Sequence, residues 1–286
     1  MIVVFGSDGF LGDRMVAKLQ GVRDANLSYN EVDTSVCGSP VITFTDKDDF
    51  FHFLLEHYRE VTWVIYCDKR IPNTVLSVFR YEFVQKLWTL SASYSIPLLY
   101  VFHQPAESPL SDFKADIFEQ WTGKQYRRPP FWYIFRVGEV YGPHEERFGE
   151  FTSRIHMFYR QILETGEAVL PMHDNDIDRE GALRDYLYVQ DALRVFYWFM
   201  LHRPANGVYD LGSGFARTDF AVVNAIFRAL KLPTRIRHSA SSEDMLKMRL
   251  SSFQPDLRIL RTAGYRKPFF SVEKGVKSAL RDAHRT

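Results

Sequence analysis

Ile2-Val-Val-Phe-Gly6-Ser-Asp-Gly9-Phe-Leu-Gly12 opens the chain, and its reading decides the fold. Four apolar residues in a row, with no alternation, describe a strand buried on both faces. Gly6 permits the tight turn that follows, Gly9 lets a backbone approach a pyrophosphate, and Gly12 allows close packing of helix on strand. Leu11, Met15 and Leu19 recur at a spacing of four and place one apolar stripe on a helix. The start of that helix offers unpaired N–H groups and the positive end of its dipole. Gly6, Gly9, Phe10, Leu11 and Gly12 are therefore the candidate cofactor-binding residues. The alternative is an inherited turn that no longer holds a nucleotide. An acidic residue about 20 positions further on should grip a ribose, and Glu31 and Asp33 are the candidates.

Outward from this turn the first half alternates strands and helices. Strands are expected at Ala25–Val32, Val41–Phe44, Val61–Tyr66, Pro97–Phe102 and Trp132–Arg136. Helices fall between them, at Asp49–Tyr58, Thr74–Tyr94 and Leu110–Trp121, the first opened by a capping box at Thr45-Asp46-Lys47-Asp48. That alternation predicts an α/β fold, a doubly wound parallel sheet covered on both faces. The second half reads as a helix at Phe151–Glu164, a polar loop Leu170–Gly181, a strand Leu187–Val189 and a helix Asp191–His202. A strand Val208–Leu211, a helix Asp219–Leu230, a strand Arg235–His238 and a helix Val272–Ala283 complete it. Residues 1–145, with 181–205 returning to them, are expected to form the dinucleotide-binding domain, and 146–286 mainly a smaller substrate lobe.

Composition narrows the function. Lys+Arg number 36 against 35 Asp+Glu in 286 residues, so no basic excess points to nucleic acid or an anionic membrane. No apolar run approaches the ~20 residues of a membrane span. Cys37 and Cys67 stand alone, which argues against a disulfide framework or a structural zinc and for a reducing, cytoplasmic setting. His52 and His57 share a helix with Glu56 and Glu60, better explained by an exposed face than a metal. Asp174-Asn-Asp-Ile-Asp178 lacks the glycine and terminal glutamate of an EF-hand loop.

Three further stretches carry a resemblance. Arg136-Val-Gly-Glu-Val-Tyr-Gly-Pro143, Arg184-Asp-Tyr-Leu-Tyr-Val-Gln-Asp191 and Val208-Tyr-Asp-Leu-Gly-Ser-Gly214 resemble the extended short-chain dehydrogenase/reductase family of nucleotide-sugar epimerases and dehydratases. The tail Phe253–Phe269 is most similar to the ADP-heptose epimerase branch of that family. The resemblance implies transient hydride transfer through bound NAD or NADP, with a Tyr-x-x-x-Lys pair on one helix doing the proton work. The lysine would hold the nicotinamide ribose and lower the tyrosine pKa. A sugar nucleotide would be the substrate, and self-association or a heteromeric protein partner is expected through two helices. Phe79, Tyr81, Phe83, Trp88, Phe118 and Trp121 on those helices suit an interface core.

Carried over position by position, the catalytic set is depleted. Lys114 matches the family lysine, but Leu110 occupies the tyrosine position. His103 falls where a serine or threonine should follow the strand, and Phe148, beside Arg147, replaces a second base. Cys67-Asp-Lys69 puts bulk and charge where small residues should pass the pyrophosphate, Thr43 replaces an aspartate near the adenine, and Glu139 replaces an asparagine. On the substrate side the candidates are Glu139, Arg147 and Arg184. The fork of donors on Arg184 suits a diphosphate, the alternative being a salt bridge to Asp185 or Asp191. Two readings follow: a catalytically degenerate sugar-nucleotide binder, regulatory or structural subunit, or an active enzyme in which His103 is the acid/base.

Overall fold

The computed structural model describes residues 1–21, 39–68, 77–103, 127–172, 181, 183–240 and 255–283. Eleven strands run in chain order among these residues: β1 Ile2–Phe5, β2 Val41–Phe44, β3 Trp63–Cys67, β4 Leu98–His103, β5 Trp132–Val137, β6 Glu139–Tyr141, β7 Ala168–Met172, β8 Leu183–Tyr188, β9 Gly207–Leu211, β10 Ala216–Thr218 and β11 Ile236–Ala240. The helices are α1 Phe10–Leu19, α2 Lys47–His57, α3 Ser77–Ser93, α4 Arg154–Thr165, α5 Val189–His202, α6 Asp219–Leu230, α7 Leu257–Thr262 and α8 Val272–Ala283.

Six strands form one sheet in the order β2-β1-β3-β4-β5-β9. Every pairing in it is parallel, from Ile2 opposite Val41 at one side to Val137 opposite Leu211 at the other. The doubly wound α/β reading is therefore correct. Parallel strands covered by helices on both faces have no solvent side, hence the unbroken apolar runs. One face packs Val4, Ile65, Val101 and Phe135 under Leu11, Met15, Phe196 and Phe199, and the other packs Val3, Val64 and Tyr100 under Phe50, Leu54 and Trp88.

The strand expected at Val41–Phe44 is present and is hydrogen-bonded directly to β1; the strand expected at Ala25–Val32 lies outside the described residues, as does the helix expected at Leu110–Trp121. Other expectations need correction. Asp46, not Thr45, caps α2, its carboxylate accepting the Asp48 and Asp49 amides at 2.8 and 3.0 Å. The helix expected from Phe151 begins at Arg154, because Ser153 caps it and a 3-10 segment, Glu145–Phe151, precedes it. The polar loop expected from Leu170 starts with a strand, β7, parallel to β11 with Leu170 opposite His238. The strand expected at Leu187–Val189 is the longer β8, whose Arg184 and Asp185 are buried. β6, β10 and α7 were not foreseen.

β9 belongs to the central sheet, so the chain segment returning to it extends past 181–205. Two aromatics of α3 pack inward: Trp88 lies edge-on to Trp132 at 5.3 Å, and Phe83 sits 4.6 Å from Phe5 and 5.0 Å from Tyr66. Phe83 and Trp88 thus pack against the chain's own core. Phe118 and Trp121 lie outside the described residues.

Candidate functional site

The turn after β1 is built by steric necessity. Gly6 has φ +84°, and a Cβ there would stand 2.1 Å from the carbonyl oxygen of Cys67 on the neighbouring strand. A Cβ on Gly12 would stand 2.1 Å from the Gly6 carbonyl oxygen. Only glycine lets β1, β3 and α1 approach this closely. Gly9 is the N-cap of α1 in extended conformation and, having no side chain, supplies no cap of its own. The first-turn amides of α1 therefore have no partner within the helix and face the cleft.

That cleft, about 480 Å³ including its open mouth, is lined by Asp8, Gly9, Phe10, Leu11, Gly12, Cys67, Asp68, His103, Val140 and Phe148. Thus four of the five glycine-turn residues assigned to a cofactor, Gly9, Phe10, Leu11 and Gly12, meet the substituted positions 67, 68, 103 and 148 in one place, with Gly6 forming the turn behind them. Phe148, from the 3-10 segment, packs edge-on against Phe10 at 5.7 Å and puts an aromatic pair at the wall. His103 ends β4, its Nδ1 lying 3.3 Å from the carbonyl oxygen of Gly138.

Among the described residues lining the cleft, the formal charges are acidic. Asp68 is buried and accepts the Tyr66 hydroxyl at 3.2 Å, while Asp8 is exposed at the mouth. Arg14 on α1 is engaged by Asp13 at 2.7 Å. Burial and the neighbouring Asp68 push the Cys67 thiol up to about 12, so a thiolate nucleophile is not available there. Maleimide should leave Cys67 unlabelled in the folded protein and label it in urea, read by peptide mass spectrometry. Rapid native labelling of Cys67 would contradict the burial.

The substrate-side candidates behave differently from one another. Glu139 accepts the Arg154 amide at 2.8 Å. Arg154 in turn holds Asp219 through two bonds of 2.8 and 2.7 Å, and the Tyr186 hydroxyl donates to the same carboxylate at 3.1 Å. This network joins β6, β8, α4 and α6, and its members Arg154, Tyr186 and Asp219 were not foreseen. Asp219 reads in sequence as an ordinary first-turn acid after a Thr cap, which hid its burial. Arg147 is exposed, and Arg184 is buried at 7% exposure on β8. The carboxylates weighed as its partners have other bonds: Asp185 accepts the Ser213 and Gly214 amides, and Asp191 takes Arg194 and the Phe270 amide. Lys114, Leu110, Lys69, Glu31 and Asp33 lie outside the described residues, and the Thr43 side chain is exposed on β2. Among the described residues no cluster could hold a metal ion and no helix is long and apolar enough to cross a membrane.

One buried acid ties down the segment that carries Phe148. Glu145 accepts the Gly142 amide at 2.9 Å, the Ser153 hydroxyl at 2.9 Å and the Ser153 amide at 2.5 Å. Burial nevertheless raises its carboxyl to about 7. A folded pKa above the unfolded one makes the native state hold the extra proton, so the stability linked to it is full below about 4.5 and lost as pH rises through about 7. The loss from this group should approach about 3 kcal/mol. Unfolding free energies measured from pH 4.5 to 8 should fall more steeply for the wild type than for Glu145→Gln; equal slopes would refute the assignment.

Comparison with known proteins agrees with the fold. Residues 115–212 match the NAD dependent epimerase/dehydratase family, which bears out the resemblance carried by the Arg136–Pro143 and Arg184–Asp191 motifs. At the level of individual proteins, the chain is similar to ADP-L-glycero-D-manno-heptose-6-epimerase of Alkalilimnicola ehrlichii, 27% identical over 98% of this chain and 96% of the relative. The enzyme of the same name from Fusobacterium nucleatum is 24% identical over 99% and 97%. Among solved structures, Helicobacter pylori ADP-L-glycero-D-manno-heptose-6-epimerase superposes with a TM-score of 0.75 at 16% identity, covering 100% of this chain and 96% of that one. Thermus thermophilus UDP-glucose 4-epimerase, solved with NAD, gives 0.68 at 20% identity over 99% of each chain. At these identities the superpositions establish the fold.

Proposed function

We propose that this protein is a sugar-nucleotide-binding relative of the nucleotide-sugar epimerases whose catalytic set has degenerated, serving a binding, regulatory or structural role. The observation that carries the reading is the cleft itself. Its glycine turn and open α1 N-terminus fit a dinucleotide pyrophosphate, while Asp8 and Asp68 oppose that anion and Phe10 and Phe148 fill space beside it. NAD or NADP would be held by Gly6, Gly9, Phe10, Leu11 and Gly12, with Lys114 at the nicotinamide ribose, and would supply reversible hydride transfer. With Leu110 in the tyrosine position, no phenolate takes the substrate hydroxyl proton.

A second reading rests on a specific observation, the presence of His103 in the same cleft as Gly9 and Gly12. There the imidazole would be the acid/base in an active epimerase. An NMR assay of epimerisation on ADP-heptose, with wild type, Leu110→Tyr and His103→Ala, separates the two. The expected outcome is no turnover in any of them, with weak dinucleotide binding by calorimetry. Losing one general acid/base alone costs about 10²–10⁴ in rate, and Leu110→Tyr does not replace the base missing at Phe148. Wild-type turnover abolished by His103→Ala would overturn the degenerate reading.

A further inference from the structure

A second cavity, about 350 Å³ including its open mouth, lies between the 3-10 segment, α4 and α8, and shares no lining residue with the glycine-turn cleft. Ile155 of α4 and Val276, Ala279 and Leu280 of α8 form its apolar floor, and all four belong to the buried core. His144, Glu145, Glu146, His156 and Tyr159 supply its polar atoms. The Glu145 carboxylate is occupied by the Gly142 and Ser153 donors, and the exposed Glu146 carboxylate stands 3.5 Å from His144 Nδ1. His156 is the group that the fold leaves unanswered. It is 8% exposed, and its Nε2 is buried with no hydrogen-bond partner among the described residues. Such a nitrogen costs free energy that an apolar ring of the same shape would avoid. Burial also holds the His156 pKa below its ordinary value, so the imidazole is neutral at pH 7. Two carboxylates and no Lys or Arg line the cavity, which disfavours an anion. These side chains are not arranged to hold a metal ion either.

We propose that this cavity binds a small, neutral or cationic nitrogen heteroaromatic of one or two rings, with a ring nitrogen paired to His156 Nε2. An apolar hollow with a few convergent polar groups is the usual form of a small-molecule site, and the volume falls at the lower end of the ~300–1,000 Å³ range for such sites. The aliphatic floor takes the body of the ring. His156 and Tyr159, their ring centroids 6.1 Å apart and tilted by 58°, give it aromatic neighbours. A heterocycle that carries both an N–H and a bare ring nitrogen pairs with His156 in either tautomer. Glu146 at the mouth favours a cationic substituent over an anionic one. The inference does not rest on the sugar-nucleotide reading, since no residue is common to the two cavities.

Calorimetry with benzimidazole, and with benzoate as an anion of similar size, on wild type, His156→Phe and Ala279→Leu tests this. Benzimidazole should bind the wild type at a single site, and benzoate clearly more weakly. His156→Phe keeps a ring and removes the nitrogen, so benzimidazole should weaken about tenfold, the worth of one hydrogen bond in a buried site. The thermal midpoint of that variant should stay level or rise, because the unpaired nitrogen is gone. Ala279→Leu fills the cavity from α8 and should abolish binding, and the imidazole resonance of His156 should shift when benzimidazole is titrated into the wild type. No binding by the wild type at millimolar benzimidazole, equal affinity in His156→Phe, undiminished affinity in Ala279→Leu, or benzoate bound as tightly as benzimidazole overturns the inference. If Ala279→Leu does not fold, His156→Phe, benzoate and the resonance shift decide it.

Discussion

Gly6→Ala should destabilise the protein by about 3–5 kcal/mol, enough to leave much of it unfolded at 37 °C. Two costs add. A non-glycine residue at φ +84° pays about 1–2 kcal/mol for a left-handed backbone. The new methyl would also lie 2.1 Å from the Cys67 carbonyl oxygen, which belongs to β3 and cannot swing away as a side-chain tip could. Relieving it means separating β1 from β3, with the overpacking cost of about 1–3 kcal/mol as a minimum. Gly21→Ala is the internal control, since φ there is +67° but nothing lies within 4 Å of the added Cβ; it should lose only the backbone share. Urea unfolding of the two variants beside the wild type is the measurement. Equal small losses in both would show that the β1–β3 approach is looser than described.

Arg154→Ala should cost about 3–5 kcal/mol, because it strips a buried carboxylate of its counterion. Asp219 is 0% exposed and receives two bonds from Arg154 beside the one from the Tyr186 hydroxyl. Burial and the charges of Asp219 and Glu139 already place the Tyr186 hydroxyl pKa well above its ordinary value, so it stays a neutral donor. A neutral donor does not replace the counterion of a desolvated charge. The double variant Arg154→Met, Asp219→Leu removes both charges at similar volume and should recover most of the stability. If the double variant is as unstable as the single one, packing rather than charge accounts for the loss.

The parts legible in sequence were those whose causes are local. The strand Ile2–Phe5, the three glycines and the α1 stripe needed only side-chain period and backbone freedom. The helices Asp219–Leu230 and Val272–Ala283 were placed at their observed ends. For the first, Thr218 caps the start through the Ala221 amide, and caps are written in a few adjacent residues. Elements failed where a local signal competed with a distant partner. β8 was cut short because Arg184-Asp185 looks like a loop, yet both residues are buried between β6 and β10. β10 is three residues long and exists only through its pairing with β8.

Read alone, the chain therefore specified a doubly wound α/β sheet, a nucleotide-type turn at Gly6–Gly12 and the substitutions at positions 67, 68, 103 and 148. Tertiary structure alone decided that those positions share one cleft, that Phe83 and Trp88 of α3 turn inward, and that Arg154, Asp219 and Tyr186 form one network. It alone set Arg184 opposite Arg217. Period and caps report which face of an element is buried, within about a turn of chain. Which charged residue faces which across 33 or 65 positions depends on strand register and helix packing, and these are settled only when the whole core closes.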